Sequence, residues 1–148
     1  MKRVILANDH GGLSLIDEIK NHLTERGYDV NHIGCYDEKA VDYPDIADKA
    51  VEEYKKGGYD FGVLVCGTGI GISVRANKHG GIVCALPQNV FAACAAKEHN
   101  GANFIAFGGR IVYGDSVSSM LDAYINASVS TDERHSRRRA KLNAQVND

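Results

Sequence analysis

The 148-residue sequence has no tryptophan, only two prolines and two methionines, and a formal net charge of −2. A chain so close to charge balance is not basic over its whole surface, so neither a nucleic-acid partner nor a membrane surface is expected. No stretch approaches the roughly 18 consecutive apolar residues that a membrane span needs. Met1-Lys2-Arg3 leads into the short run Val4-Ile5-Leu6-Ala7 and then into polar Asn8-Asp9-His10, too brief for the core of a secretory signal. Cysteine is sparse as well: Cys35, Cys66, Cys84 and Cys94 lie 31, 18 and 10 residues apart, with no C-x-x-C pair. That spacing indicates neither a zinc site nor a disulfide framework, and a cytoplasmic protein with reduced thiols is expected.

Hydrophobic residues make up 44% and charged residues 24% of the chain, enough to bury a core in one domain spanning residues 1–148. Short β-branched runs alternate with longer segments of helical period, the pattern of βαβ units around a parallel sheet. Five strands are expected, at 3–8, 28–33, 60–66, about 82–86 and 103–107. Leu13, Ile16, Ile19 and Leu23 recur at three- and four-residue steps and give a first helix that stops before Gly27. Pro44 opens a second helix that carries Ile46, Ala47, Ala50, Val51 and Tyr54 inward until Gly57-Gly58. The alanine-rich segment 88–98 and the stripe from Val117 to Ile125 are helical, and a helical tail is expected over about 129–148.

A doubly wound sheet presents its functional loops at the carboxyl ends of the strands. With the strand order 2-1-3-4-5 the crevice opens where strands 1 and 3 part. Asn8-Asp9-His10-Gly11-Gly12 and Cys66-Gly67-Thr68-Gly69-Ile70-Gly71 would both face it.

Cys66 admits two readings. One is a small buried residue closing a strand, which is common for free cysteine. The other is a reactive thiol: Gly67, Gly69 and Gly71 can take positive φ and turn successive N–H groups toward one anion. A helix starting at Ile70 would add its positive end and lower the thiol pKa from about 8.5 toward neutrality. The loop lacks the G-x-G-x-x-G spacing of a dinucleotide site, and no Gly-Lys-Ser/Thr follows it. What it can hold is an enediolate oxygen, with Thr68 as a further donor. His10, at a strand end, and His99, where a helix gives way to a turn, can shuttle protons or grip an oxyanion. His22, His32 and His79 are read as structural. Arg134 and Arg138 share a helical face and suit one phosphate, as does Arg110 after strand 5. The basic run 134–139 lacks the aromatic interleaving of a nucleic-acid patch.

In this order along the chain, Asp9-His10-Gly11-Gly12, Asp42-Tyr43-Pro44-Asp45, Cys66 to Ser73, Ala76-Asn77-Lys78, Glu98-His99-Asn100, Gly108 with Arg110, and Arg134-His135 with Arg138 resemble the type B ribose-5-phosphate isomerases. Their family also holds the galactose-6-phosphate isomerase subunits. The resemblance implies a three-layer αβα, flavodoxin-like or Rossmann-like homodimer, with dimers able to pair further. Its activity would be an aldose–ketose isomerisation of a sugar phosphate without metal or cofactor. Carried over, Cys66 is the base moving a proton between C2 and C1 through a cis-enediolate, held by Thr68 and the amides of Gly67, Gly69, Ile70 and Gly71. Asp9 and His99 assist ring opening, Asn100 and Tyr43 contact sugar hydroxyls, and His10, Arg110, Arg134 and Arg138 bind phosphate. Part of each site comes from the partner chain, on which the C-terminal tail would pack.

The chain departs from the family pattern at Arg75, usually a small residue, at Val83, usually arginine, at Asp132-Glu133, usually a glycine pair, and across Gln88-Asn89-Val90, a segment that often carries an aromatic residue. Ribose 5-phosphate is the first expectation for substrate. Allose 6-phosphate, galactose 6-phosphate, and a regulatory domain that binds without turnover are the alternatives.

Overall fold

In the computed structural model, which describes residues 2–147, the β-branched runs become parallel strands. They are β1 (Lys2–Asn8), β2 (Tyr28–Gly34), β3 (Phe61–Cys66), β4 (Cys84–Ala85) and β5 (Phe104–Gly108). The helices are α1 (Leu13–Glu25), α2 (Tyr43–Lys55), α3 (Ile70–Ala76), α4 (Val90–Glu98), α5 (Val117–Asn126) and α6 (Glu133–Asn143). A single 3₁₀ turn, His10–Gly12, links β1 to α1. Met1 and Asp148, the ends of the expected domain and tail, lie outside the described residues. No helix among the described residues is long and apolar enough to cross a membrane.

The α/β class and the parallel sheet are as expected, but the strand order is β2-β1-β3-β5-β4 rather than 2-1-3-4-5. Burial explains the exchange. Phe104, Ile105, Ala106 and Phe107 have no exposed surface and need a strand on each side, whereas the two-residue β4 suits an edge. Right-handed crossovers then dictate which face each helix covers. The moves from β2 to β3 and from β3 to β4 run one way across the sheet and put α2 and α3 on one face. Those from β1 to β2 and from β4 back to β5 put α1 and α4 on the other, beside α5.

Two cores follow. Ile16, Ile19 and Leu23 of α1, Ala93 and Ala96 of α4 and Val117, Met120, Leu121 and Tyr124 of α5 cover Val4, Leu6, Val63, Val65, Ile105 and Phe107. Ile46, Ala47, Ala50 and Val51 of α2 with Ile72 and Ala76 of α3 cover Ile5, Ala7, Leu64, Cys66, Phe104 and Ala106 on the opposite face. Leu13, expected on the apolar stripe of α1, is only half-buried, and Tyr54 packs at the rim of its core. The tail helix α6 buries no residue against the rest of the chain.

The three structural histidines each have a partner: His22 meets Asp122 Oδ1 at 2.8 Å, His79 meets Asp48 Oδ1 at 2.7 Å and His32 meets Asn8 Oδ1 at 2.6 Å. All four cysteines are free.

Candidate active site

Because β2, β1 and β3 keep their expected order, the crevice still opens between β1 and β3. Parallel register sets Asn8 beside Val65 and Cys66 beside Gly108, which brings Asp9 level with Cys66 at the carboxyl edge of the sheet. The ends are stitched together: Asp9 N–H donates to Val65 O at 3.2 Å, Gly109 N–H to Cys66 O at 2.8 Å and Arg110 N–H to Gly67 O at 2.9 Å. A cavity of about 500 Å³ lies over this edge, lined by Asp9, His10, Tyr43, Cys66, Gly67, Thr68, Ile70, Gly71 and Arg110.

Cys66 forms the floor, 4% exposed. Its Sγ accepts a hydrogen bond from Gly69 N–H at 3.1 Å, while Thr68 Oγ1 accepts from Ile70 N–H at 3.2 Å and stands exposed at the cavity wall. That N–H fixes the sulfur at the floor of the cavity, beside the amino end of α3. Asp9 is buried and its Oδ1 accepts from Gly11 N–H at 2.9 Å.

The glycines act differently from the expected run of positive φ. Only Gly69 has it, at 78°, as the cap of α3. Gly67 and Gly71 are required by close approach instead. A Cβ on Gly67 would stand 2.9 Å from Arg110 Nη1, and one on Gly71 would overlap the Tyr43 ring. The guanidinium and the phenol therefore lie directly over the loop backbone. Gly69 itself caps the helix and is not part of the cavity wall.

His99, Asn100, Arg134 and Arg138 are not brought to this cavity. Helix α4 runs antiparallel to the strands, so His99 and Asn100 at its carboxyl end sit near the start of β5, at the opposite edge of the sheet from Cys66. There the His99 ring stacks on His135, with centroids 4.3 Å apart and planes 5° from parallel. Burial first, then the neighbouring His99 and Arg134, hold the His135 imidazole below its ordinary pKa. Arg139 fastens α6 to this corner, donating to His99 O at 3.2 Å and to Ser130 O at 2.6 Å. Arg134 and Arg138 are exposed on α6.

The departures also find places. Arg75 is not on the cavity wall; it ties α3 to α2 by donating from Nε and Nη2 to the two oxygens of Asp48 at 2.9 and 3.0 Å. The Arg75 guanidinium, with His79 second, holds the Asp48 carboxyl at about 2. A folded pKa below the unfolded one adds stability that is present above pH ~4 and is lost as pH falls through about 2. Asp48→Asn is expected to lower Tm by about 2–5 °C at pH 7, the modest effect of an exposed pair, and the deficit should shrink toward pH 2 in calorimetric melts. Val83 is half-buried against the core, and Asp132 and Glu133 pair with Arg134 and Arg137 on α6.

Sequence reasoning passed over Tyr113, whose hydroxyl accepts from Gly108 N–H at 2.8 Å, and Val41, whose N–H donates to His10 Nδ1 at 3.3 Å. The second contact joins segments 31 residues apart that no local motif links.

Residues 4–142 match the family described as Ribose/Galactose Isomerase. The ribose-5-phosphate isomerase B of Escherichia coli (strain K12) is 37% identical over 127 residues, which cover 86% of this chain and 85% of that protein. A ribose 5-phosphate isomerase structure from Thermotoga maritima aligns with a TM-score of 0.89 at 35% identity over 96% of this chain and 97% of that one. Ribose-5-phosphate isomerase B of Clostridium thermocellum aligns with a TM-score of 0.88 at 40% identity over 97% and 95%. Fold and relatives together define the class, an aldose–ketose isomerase. Within that class, the chain belongs to the Ribose/Galactose Isomerase family.

Proposed function

We propose that the protein interconverts ribose 5-phosphate and ribulose 5-phosphate in the cytoplasm, with Cys66 as the base. The observation that carries this reading is the buried Cys66 sulfur, bonded to Gly69 N–H beneath a cavity walled by Asp9, His10, Tyr43, Thr68 and Arg110. The Cys66 thiolate takes the proton from C2 of the open-chain aldose, and the C2–H electrons form the C1–C2 double bond as the carbonyl oxygen becomes an enediolate oxygen. Thr68 and the amides of the 67–71 loop stabilise that charge. The thiol returns its proton to C1, the O2 hydroxyl gives up its proton as O1 gains one, and the ketose is formed with no change in composition. Asp9 is placed to assist ring opening, Tyr43 to meet a sugar hydroxyl, and His10 and Arg110 to bind the phosphate.

A second copy of the chain completes the site in this reading, supplying His99, Asn100, Arg134 and Arg138. Two features support a dimer. The exposed apolar side chains Ile70, Ile111 and Val112 line a cavity adjoining the thiol cavity at Thr68, and α6, though held to the body through Arg139 and His135, has no buried residue. Metal-free protein should convert ribose 5-phosphate to ketose and sediment as a dimer or a pair of dimers. Absence of turnover with any pentose or hexose phosphate overturns the reading. The family description includes galactose, so galactose 6-phosphate and allose 6-phosphate belong in the same assay as competing substrates.

A further inference from the structure

Asn8 is fully buried at the carboxyl end of β1, directly before Asp9 and His10. Its side chain donates to Asp9 O at 2.9 Å and to Cys35 O at 3.0 Å. Only the amide nitrogen can donate twice, so Oδ1 points to the remaining partner, His32 Nε2, at 2.6 Å. An amide oxygen has no hydrogen to give, and His32 therefore carries its proton on Nε2 and donates. Burial above all, then Lys20, holds the His32 ring below its ordinary pKa against the opposing effect of Asp17. Tyr36 covers the ring edge-on at 4.9 Å and donates from its hydroxyl to His32 O at 3.0 Å.

The backbone tightens the same junction. Cys35 N–H donates to Asn8 O at 3.0 Å, and Gly34, at φ 119°, comes so near that a Cβ there would stand 2.5 Å from Asn8 O. Two loops are thereby clipped together. One follows β1 and holds Asp9 and His10; the other, 35–42, follows β2 and ends at Tyr43. The second loop reaches back to the first through Val41 N–H, which donates to His10 Nδ1 at 3.3 Å. A His10 ring accepting at Nδ1 keeps its proton on Nε2.

We propose that His32 and Asn8 are positioning residues: by clipping the 35–42 loop to the end of β1 they fix the orientation and tautomer of His10. The importance of that for turnover rests on the reading that His10 binds the substrate phosphate. Neither residue lines the cavity; His32 reaches the site only through Asn8 and the loop, and Asn8 through the loop and the Asp9 carbonyl.

The test compares His32→Phe, which keeps a planar ring but has no donor, with His32→Gln, whose side-chain N–H replaces Nε2–H. Ring-nitrogen NMR of imidazole-labelled protein reads the His10 tautomer with no substrate present. Wild type should show one His10 tautomer with Nδ1 unprotonated, His32→Phe a mixture, and His32→Gln the wild-type signal. KM for ribose 5-phosphate should rise about tenfold in His32→Phe with kcat changed less than about twofold, and return to normal in His32→Gln. His32→Phe protein with wild-type His10 signals and wild-type KM overturns the proposal. So does a loss that follows only the fraction of folded protein and is not rescued by glutamine. Should wild type turn over no sugar phosphate, the functional reading fails, and the His10 nitrogen signals still decide this one.

Discussion

Cys66→Ala is expected to lower kcat by about a thousandfold while leaving the fold and substrate affinity nearly intact. The thiol is 4% exposed and its Sγ accepts one backbone N–H, so alanine removes one small buried atom and one weak hydrogen bond. A loss of about 1 kcal/mol in stability is the scale for such a deletion. The expected loss in chemistry is far larger, because in the proposed mechanism Cys66 is the group that takes the proton from C2. Three measurements check this: ketose formation, exchange of the C2 hydrogen with solvent, and a thermal melt. Exchange and turnover should fall together while Tm moves little. A variant that keeps full activity would place the base elsewhere, with the Asp9 carboxylate the nearest replacement.

Gly69→Ala should damage both stability and catalysis. Its φ of 78° is unfavourable for any residue with a Cβ, and that Cβ would lie 2.9 Å from the Phe107 carbonyl carbon and 2.6 Å from Leu86 Cδ1. The leucine can move, but the backbone of β5 cannot. Left-handed strain and overpacking together point to a cost of about 2–5 kcal/mol, readable as a shift in urea midpoint. Any relaxation that relieves the clash also turns Gly69 N–H away from Cys66 Sγ, so kcat should fall even in the folded fraction. Gly67→Ala is the contrasting case. Its φ is not positive and its new Cβ meets only the mobile end of Arg110, so stability should hold while KM rises. Equal effects at the two glycines would contradict the distinction.

The two glycines also show where sequence reasoning reaches its limit. That a glycine-rich loop follows Cys66 is plain from the residues, and so is its place at a strand end facing the end of β1. Which glycine serves a backbone angle, and which clears room for Arg110 or Tyr43, depends on residues 28 to 43 positions away. The strands themselves were legible because β-branched runs mark them, and the helices because their apolar spacing does. The exchange of β4 and β5 was not, since nothing local in Asn103-Phe-Ile-Ala-Phe says which neighbour it needs; its complete burial decides that. The Asn8–His32 contact escaped for the same reason: the two residues are 24 positions apart, and nothing local to the Asn8-Asp9-His10 strand end points to His32. His99 and the α6 arginines are a different case: their motif was readable, while the use proposed for them depends on a second chain.

The central place of β5 bears on how the chain is made. β3 pairs with β1 on one side, and its other side is filled by residues 104–108, which follow β4 in the chain yet lie between β3 and β4 in the sheet. A nascent chain released before Gly108 would present the apolar ladder Gly62 to Cys66 as an unpaired edge, the kind that recruits strands from other chains. The last strand of the chain is thus the one that closes the inner edge of β3.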